Sequence, residues 1–141
     1  MNNLIGRDMG RYHILEQLGE GGMGTVYKAF DTHLEADVAV KVSRIDQFTP
    51  EQLIRTLTRF EREAKSLARL THPNIVKVTD YGEHGGSPFL VMEYLPGGNL
   101  KQYLHEHGRL PWQEAARLLL LRLKGYCLTF GIWNRARPQI S

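Results

Sequence analysis

The chain has 141 residues, of which 42% are hydrophobic and 23% are charged, and its formal net charge is +3. This length suits one ordinary domain rather than two, and the composition excludes a disordered chain. Basic and acidic residues are interleaved, as in residues 59–65, so no nucleic-acid-binding surface is indicated. A single cysteine, Cys127, excludes an internal disulfide. Since neither a secretory signal nor a membrane-spanning apolar run is evident, we expect a cytoplasmic protein without a membrane segment.

Three strands are predicted first, and no helical pattern separates them. Residues 11–18 alternate loosely between polar and apolar, and residues 25–30 resume strand character after a glycine-rich turn at 19–24. Residues 37–42 are an apolar run of strand length. Consecutive strands without an intervening helix are expected to pair antiparallel.

A long amphipathic helix is predicted to follow these strands. Thr49 is expected at the N-cap, with Pro50 at the first helical position and Gln52 completing a capping box. The helix is expected to end near residues 70–71. Its buried stripe, at three- and four-residue steps, is predicted to contain Leu53, Leu57, Phe60, Ala64 and Leu67.

The second half of the chain is predicted to complete a sheet and then become helical. Strands are expected at residues 75–81 and 89–94, joined by a glycine turn at 82–87. The fold class is therefore α+β, with a five-stranded antiparallel sheet and one long helix. Shorter helices are predicted at 99–106 and 112–123, whereas residues 125–141 show no clear period.

The turn Gly19–Gly24 has the spacing Gly-x-Gly-x-x-Gly, which several kinds of site share. A dinucleotide-binding turn would lead into a helix, but this one leads into a predicted strand. A phosphate loop of the Gly-x-x-x-x-Gly-Lys-Ser/Thr type would have lysine where Thr25 stands. Two interpretations remain for the turn alone: a plain hairpin, or a flexible hairpin whose backbone N–H groups contact phosphates.

Lys41 and Glu63 are candidates for an ion pair between strand and helix. Lys41 ends the apolar strand, and Glu63 follows Phe60 by three residues, at the margin of the buried helix stripe. Glu61 is predicted to lie on the outer helix face. Each residue also has an ordinary interpretation, as a lysine at a sheet edge and as a solvated glutamate. Together with the glycine turn, the pair indicates a nucleotide site in which Glu63 aims the ammonium of Lys41 at phosphates.

Five segments in this order resemble serine/threonine protein kinases: residues 18–29 (LGEGGMGTVYKA), 38–41 (VAVK), 60–64 (FEREA), 72–76 (HPNIV) and 90–98 (LVMEYLPGG). The Gly-Glu-Gly-Gly-Met-Gly form is similar to the bacterial branch of the family. The resemblance covers residues 10–121 and implies three parts: a small lobe at 10–95, a hinge and first large-lobe helices at 96–121, and an atypical tail at 122–141.

The resemblance also implies an ATP site. The adenine would be enclosed by apolar side chains and held by backbone groups of the hinge, the phosphates would be covered by glycines, and one lysine would grip the α- and β-phosphates. The residues implied are Leu18, Val26 and Ala39 around the adenine, Met92 as gatekeeper, Glu93 and Leu95 at the adenine edge, Asn99 near the ribose, Gly19, Gly21 and Gly24 over the phosphates, and Lys41 held by Glu63.

The chain departs from the family pattern after residue 121. No His-Arg-Asp loop and no Asp-Phe-Gly segment occurs, and the five aspartates all lie between residues 8 and 80. The catalytic aspartate and the ligands of the family's Mg²⁺ are thus absent, so we expect these residues to hold ATP at most weakly and not to phosphorylate a protein substrate. Scattered histidines such as His105 and His107 do not suggest another metal site.

Several origins and functions remain open for such a chain. The tail is consistent with a shifted reading frame or gene truncation, or with a functional short form. Three functional interpretations are open. The chain is the ATP-binding portion of a kinase, or it is a non-catalytic pseudokinase-like module that binds a nucleotide or a partner, or it is a nonfunctional remnant.

Overall fold

A computed structural model describes residues 3–21, 24–46, 48–72, 76–96 and 100–123, with only the backbone described for 100–103 and 118–123. The chain divides into two compact units, Met1–Leu70 with Lys77–Tyr94 and Thr71–Val76 with Leu95–Ser141. The first unit holds the strands β1 (Asp8–Met9), β2 (Tyr12–Gly21), β3 (Gly24–Asp31), β4 (Ala36–Ser43), β5 (Val78–His84) and β6 (Ser87–Glu93), and the helix α1 (Pro50–Ala68). The second holds α2 (Leu100–His107) and α3 (Trp112–Leu123).

The strands of the first unit form one antiparallel sheet in the order β1-β2-β3-β4-β6-β5. This confirms the predicted α+β class, with one long helix between the third and fourth predicted strands. The sheet has six strands in the residues described rather than the five predicted. The additional strand, β1, pairs Asp8 with His13 and Met9 with Tyr12, and two residues are too few to show a sequence period.

The β5–β6 hairpin is tighter than predicted. Its turn is Gly85–Gly86, with φ of +57° and +82°, whereas Gly82 and Ser87 belong to the strands. Two consecutive positive φ angles match the right-handed twist of a hairpin, and glycine adopts them without strain. The pairing therefore extends to His84 and Ser87, beyond the predicted strand ends.

The predicted start of α1 is confirmed, and of its predicted buried stripe only Ala64 is fully buried. Thr49 Oγ1 accepts a hydrogen bond from the Gln52 backbone N–H at 3.3 Å, and Gln52 Oε1 accepts one from the Thr49 N–H at 3.0 Å. Ala64 is fully buried, and α1 packs against β5 and β6. The rest of the predicted stripe is half-buried: Leu53, Leu57, Phe60 and Leu67.

The register gives the sheet two faces of different chemistry. Residues directly opposite in an antiparallel ladder share a face. One face, called here the core face, aligns Tyr27, Val40 and Val91. The other, called the lysine face, aligns Val26, Lys41 and Leu90 in one row. The buried apolar cluster of the first unit lies on the core face and comprises Met9, Tyr12, Ile14, Tyr27, Ala29, Val38, Val40, Phe89 and Val91.

Candidate functional site

The glycine-rich segment forms the tip of the β2–β3 hairpin. The ladder runs to the pair Gly21 and Gly24, and Gly19 lies opposite Val26. A register shift between Gln17 and Gly19 makes Leu18, which is half-buried, an extra residue in β2. Strands therefore flank the turn on both sides, and the predicted exclusion of a dinucleotide-binding turn is confirmed.

The three motif glycines have different local surroundings. Gly24 has φ of +152°, and a Cβ atom there would lie 2.3 Å from the carbonyl oxygen of Val42. A Cβ atom at Gly19 or Gly21 would meet no atom within 4 Å among the described residues, and neither has a positive φ. The fold thus requires glycine at position 24, whereas the two other positions have room for a side chain.

Glu20, which lies between Gly19 and Gly21 in the sequence, has its side chain held by an ion pair. Its carboxylate pairs with Arg44, the residue that follows β4, and Gln17 Nε2 donates to it at 3.5 Å. Glu20 lies opposite Thr25, which lies opposite Val42, so its side chain belongs to the face opposite Lys41. No sequence pattern indicated this pair, because the two residues are distant in the chain.

Lys41 lies among buried residues of the lysine face. It is only 7% exposed and lies between Val26 on β3 and Leu90 on β6. Burial lowers the pKa of its ammonium below the ordinary value. Ala39 and Met92, both buried, are opposite each other on the same face. The structure thus brings together four of the predicted residues: Val26, Ala39, Lys41 and Met92.

Glu63 has a hydrogen-bonded partner on its own helix. Arg59 Nε donates to Glu63 Oε1 at 2.8 Å, and this bond raises the pKa of Arg59. Glu63 is half-buried, in agreement with its predicted position at the margin of the stripe, while Glu61 is exposed and pairs with Lys65 at 2.6 Å. The ion pair between Lys41 and Glu63 stays a prediction.

The end of β6 provides backbone groups at one side of the lysine face. The N–H of Glu93 donates to the carbonyl of Lys77 at 3.0 Å, so this N–H is already bonded within the chain. Leu95 is half-buried and belongs to the second compact unit. Other predicted features lie outside the described residues: Asn99, residues 73–75 of the HPNIV segment, and most of the atypical tail at 122–141, on which the frame-shift hypothesis rests.

A second charged group on the lysine face escaped the sequence reasoning. Lys28 Nζ lies 3.2 Å from Asp37 Oδ2 and 4.9 Å from the centre of the Tyr94 ring. The hydrogen bond to Asp37 is the main cause of a raised pKa at Lys28. The only available sequence signal was the strand period, which places Lys28 on the same face as Val26.

Neither a metal centre nor a membrane span is found within the residues described. No group of three or more His, Cys, Asp or Glu side chains in that part of the chain is arranged to hold a metal ion. No helix there is both long and apolar enough to cross a bilayer.

Comparison with known proteins connects this geometry to a family. Residues 12–128 match the protein kinase domain. The serine/threonine-protein kinase PrkC of Bacillus subtilis (strain 168) is 44% identical over 117 residues, which cover 82% of this chain and 18% of that protein. The serine/threonine-protein kinase PknB of Mycobacterium leprae (strain TN) is 42% identical over 113 residues, covering 77% of this chain and 18% of that protein. This chain therefore spans about a fifth of these relatives' length.

Solved structures show the same likeness in three dimensions. The crystal structure of the Mycobacterium tuberculosis PknI kinase domain superposes with a TM-score of 0.70 at 28% identity. The match covers 86% of this chain and 49% of that domain. The chain belongs to the protein kinase family, with relatives among bacterial serine/threonine kinases, and its sheet and long helix have the fold of the kinase small lobe.

Proposed function

We propose that these residues are the ATP-binding portion of a cytoplasmic kinase domain that transfers the γ-phosphate of ATP to serine or threonine of a protein substrate. Membership of the protein kinase family supports phosphoryl transfer as the reaction, and the chemistry of the lysine face supports ATP as the ligand. The residues described here would contribute nucleotide binding, since none of them has the role of the catalytic aspartate.

The main support for the proposal is that the three motif glycines differ in the space around them. Gly24 is explained by the fold, because any side chain would collide with the backbone of β4. Gly19 and Gly21 have no such explanation, since space is open around them in the part of the chain that is described. Glycine at such positions lets a backbone approach a ligand closely and point its N–H groups at phosphate oxygens.

The lysine face supplies complementary chemistry for the rest of a nucleotide. Lys41 provides a cation for the α- and β-phosphates, with Glu63 as its proposed orienting partner. The carbonyl of Glu93 would accept a hydrogen bond from the adenine edge, and the Leu95 backbone would complete that edge. Apolar contact with the base would come from Leu18, Val26, Ala39 and Met92, and Asn99 would contact the ribose.

The magnesium ion used by the family has no matching donor set in the described residues. They contain no cluster of three or more acidic or imidazole side chains, and a magnesium site needs carboxylate oxygens beside the phosphates. By the family resemblance the magnesium ligands belong to the catalytic loop and the Asp-Phe-Gly segment, neither of which occurs in this sequence, so we propose no metal ligand among the described residues.

ATP-induced stabilisation of three forms of the chain tests the proposal. ATP at 100 times its Kd should stabilise the wild type by about 2.7 kcal/mol, measured as a rise in Tm. Gly21→Ala should keep the ligand-free Tm and lose most of that rise, because its methyl group occupies the ligand's space. Gly24→Ala should lower the ligand-free Tm, because its methyl group collides with Val42. A wild type that ATP does not stabilise would contradict ATP binding.

A further inference from the structure

The backbone ladder between β4 and β6 stops just before the segment that leaves the sheet. It runs from Val42 opposite Phe89 to Val38 opposite Glu93. Asp37 on β4 and Tyr94, which directly follows β6, lie one position beyond the last pair. No pair of the β4–β6 ladder includes Tyr94, so its side-chain contacts add a restraint that this ladder does not provide.

Lys28 supplies these contacts from the neighbouring strand. It lies opposite Ala39, and its ammonium contacts both Asp37 Oδ2, at 3.2 Å, and the ring of Tyr94, at 4.9 Å from the centre. A cation at this distance over an aromatic face is attracted by the ring's quadrupole. The Lys28 side chain is 24% exposed, so solvent screens the attraction only in part. The three side chains thus join β3, β4 and the end of β6.

The position of this cluster within the sheet distinguishes it from an ordinary surface ion pair. Lys28, Ala39 and Met92 form one cross-strand row on the lysine face. Lys41 belongs to a different row, with Val26 and Leu90. The row of Lys28 contains two of the residues proposed to contact the base, Ala39 and Met92, while the row of Lys41 contains the group proposed to contact phosphates.

We propose that Lys28 is a positioning residue for the nucleobase: by holding Tyr94 beside Asp37, it fixes the Glu93 carbonyl that accepts a hydrogen bond from the base. The inference rests on the proposed ATP binding and adds a residue to the base end of that site. Lys28 itself touches neither the base nor the phosphates in this proposal. Its loss is therefore expected to affect every ligand that carries the base, whatever the number of phosphates.

Adenosine and ATP, used as paired probes, separate this role from that of Lys41. Lys28→Met keeps most of the aliphatic stem and removes the charge. It should weaken adenosine and ATP by the same factor, about fivefold, which corresponds to loss of a cation–π contact of about 1 kcal/mol. Lys41→Met should weaken ATP by a larger factor than adenosine, because only ATP carries the phosphates that Lys41 is proposed to contact. Isothermal titration calorimetry on the 141-residue chain measures both affinities.

Two further variants serve as controls for the lysine substitution. Lys28→Arg retains a cation that can bind Asp37 and stack on Tyr94, so it should restore most of the affinity for both ligands. Lys65→Met removes another ion-paired lysine, which lies on the outer face of α1, and should change neither affinity. The proposal is overturned if Lys28→Met binds adenosine like the wild type, or weakens ATP alone.

Hydrogen exchange without ligand separates failure of this inference from failure of ATP binding. Lys28→Met should speed exchange of the Glu93 and Tyr94 amides and leave those of β2 unchanged. If the wild type binds neither adenosine nor ATP, ATP binding is refuted, and the base-positioning role falls with it. If the wild type binds both and exchange at Glu93 and Tyr94 is unaltered in Lys28→Met, only the role of Lys28 is refuted.

Discussion

The two faces of the sheet bury their residues for different reasons. The core face is covered by side chains of the chain itself, with Ile14, Val40 and Val91 completely buried. The lysine face buries apolar residues too, but Lys41 lies among them at 7% exposure. Burying an ammonium opposes folding, whereas burying isoleucine or valine favours it. Stability therefore explains the composition of the core face, whereas burial of Lys41 lowers the pKa of its ammonium.

The core face is also where β2 and β5, which lie toward opposite edges of the sheet, meet. β2 and β5 are four strand spacings apart, which would be about 19 Å in a flat sheet. Yet Tyr12 on β2 donates its hydroxyl to Asp80 Oδ2 on β5 at 2.5 Å. Arg11 adds ion pairs to Asp31 at 3.2 Å and to Asp80 at 3.8 Å. The sheet must therefore curl strongly around the core face, and a polar network joins β2 to β5.

Removing a buried side chain from the core face should have the largest effect on stability. Ile14→Ala should lower the free energy of unfolding by about 3 kcal/mol, because Ile14 is completely buried and its loss leaves a cavity. Urea unfolding followed by circular dichroism measures this change. Ile54→Ala is the matched control: Ile54 is 65% exposed on α1, so its change should stay within about 0.5 kcal/mol. Equal losses in the two variants would contradict the assignment of the core face.

The Tyr12 hydroxyl should contribute an intermediate amount. Tyr12→Phe removes its hydrogen bond to a carboxylate and should cost about 1–2 kcal/mol in the same unfolding measurement. Tyr27→Phe is the control on the same face, since no hydrogen bond of the Tyr27 hydroxyl is found among the described residues. It should be close to neutral. A similar loss in both variants would mean that the bond to Asp80 does not stabilise the curled sheet.

The stability difference between the wild type and Tyr12→Phe should also depend on pH. Burial, followed by the bond to Asp80, raises the pKa of Tyr12 above its ordinary value of 10.0. Above pH 10 the unfolded chain loses the tyrosine proton while the folded chain keeps it, so wild-type stability should fall as the pH rises. Tyr12→Phe cannot show this decline, and the stability gap between the two proteins should narrow above pH 10.

Removing the buried charge of Lys41 should have the smallest effect on stability, and it should stabilise the chain rather than destabilise it. Lys41→Met keeps an apolar stem and should raise the free energy of unfolding slightly at pH 7, by less than about 1 kcal/mol. Because burial lowers the folded-state pKa, the cost of the charge is fully present below that pKa and disappears as the pH approaches the unfolded value of 10.5. The advantage of Lys41→Met should therefore shrink with rising pH. A variant less stable than the wild type at pH 7 would give Lys41 a structural role.

Much of the fold could be predicted because it depends on residues close together in the chain. The capping box of α1 joins Thr49 to Gln52, three residues later, and their local chemistry suffices to start a helix. Strand positions followed from the alternation of side chains. Strand β1 could not be found in this way, since its two residues are extended only because they pair with β2.

The candidate site was predicted in its residue types but not in its contacts. The spacing of the glycines could not tell which of them the fold itself requires, because that depends on the Val42 carbonyl of a neighbouring strand. The helix period placed Glu63 correctly at the edge of the buried stripe, yet its bond to Arg59 depends on side-chain conformations. Lys28 was missed because Asp37 and Tyr94 approach it only in the folded sheet.

The sequence by itself determined the family resemblance, the order of strands and helix, and the candidate nucleotide residues, because motifs and short-range periodicity are properties of the chain. The tertiary structure alone decided which residues share a face, which glycine is needed for folding, and how Tyr12 meets Asp80 across 68 positions. These features depend on strand register and on the curl of the sheet. Both result from packing between segments that are distant in sequence, which no local pattern encodes.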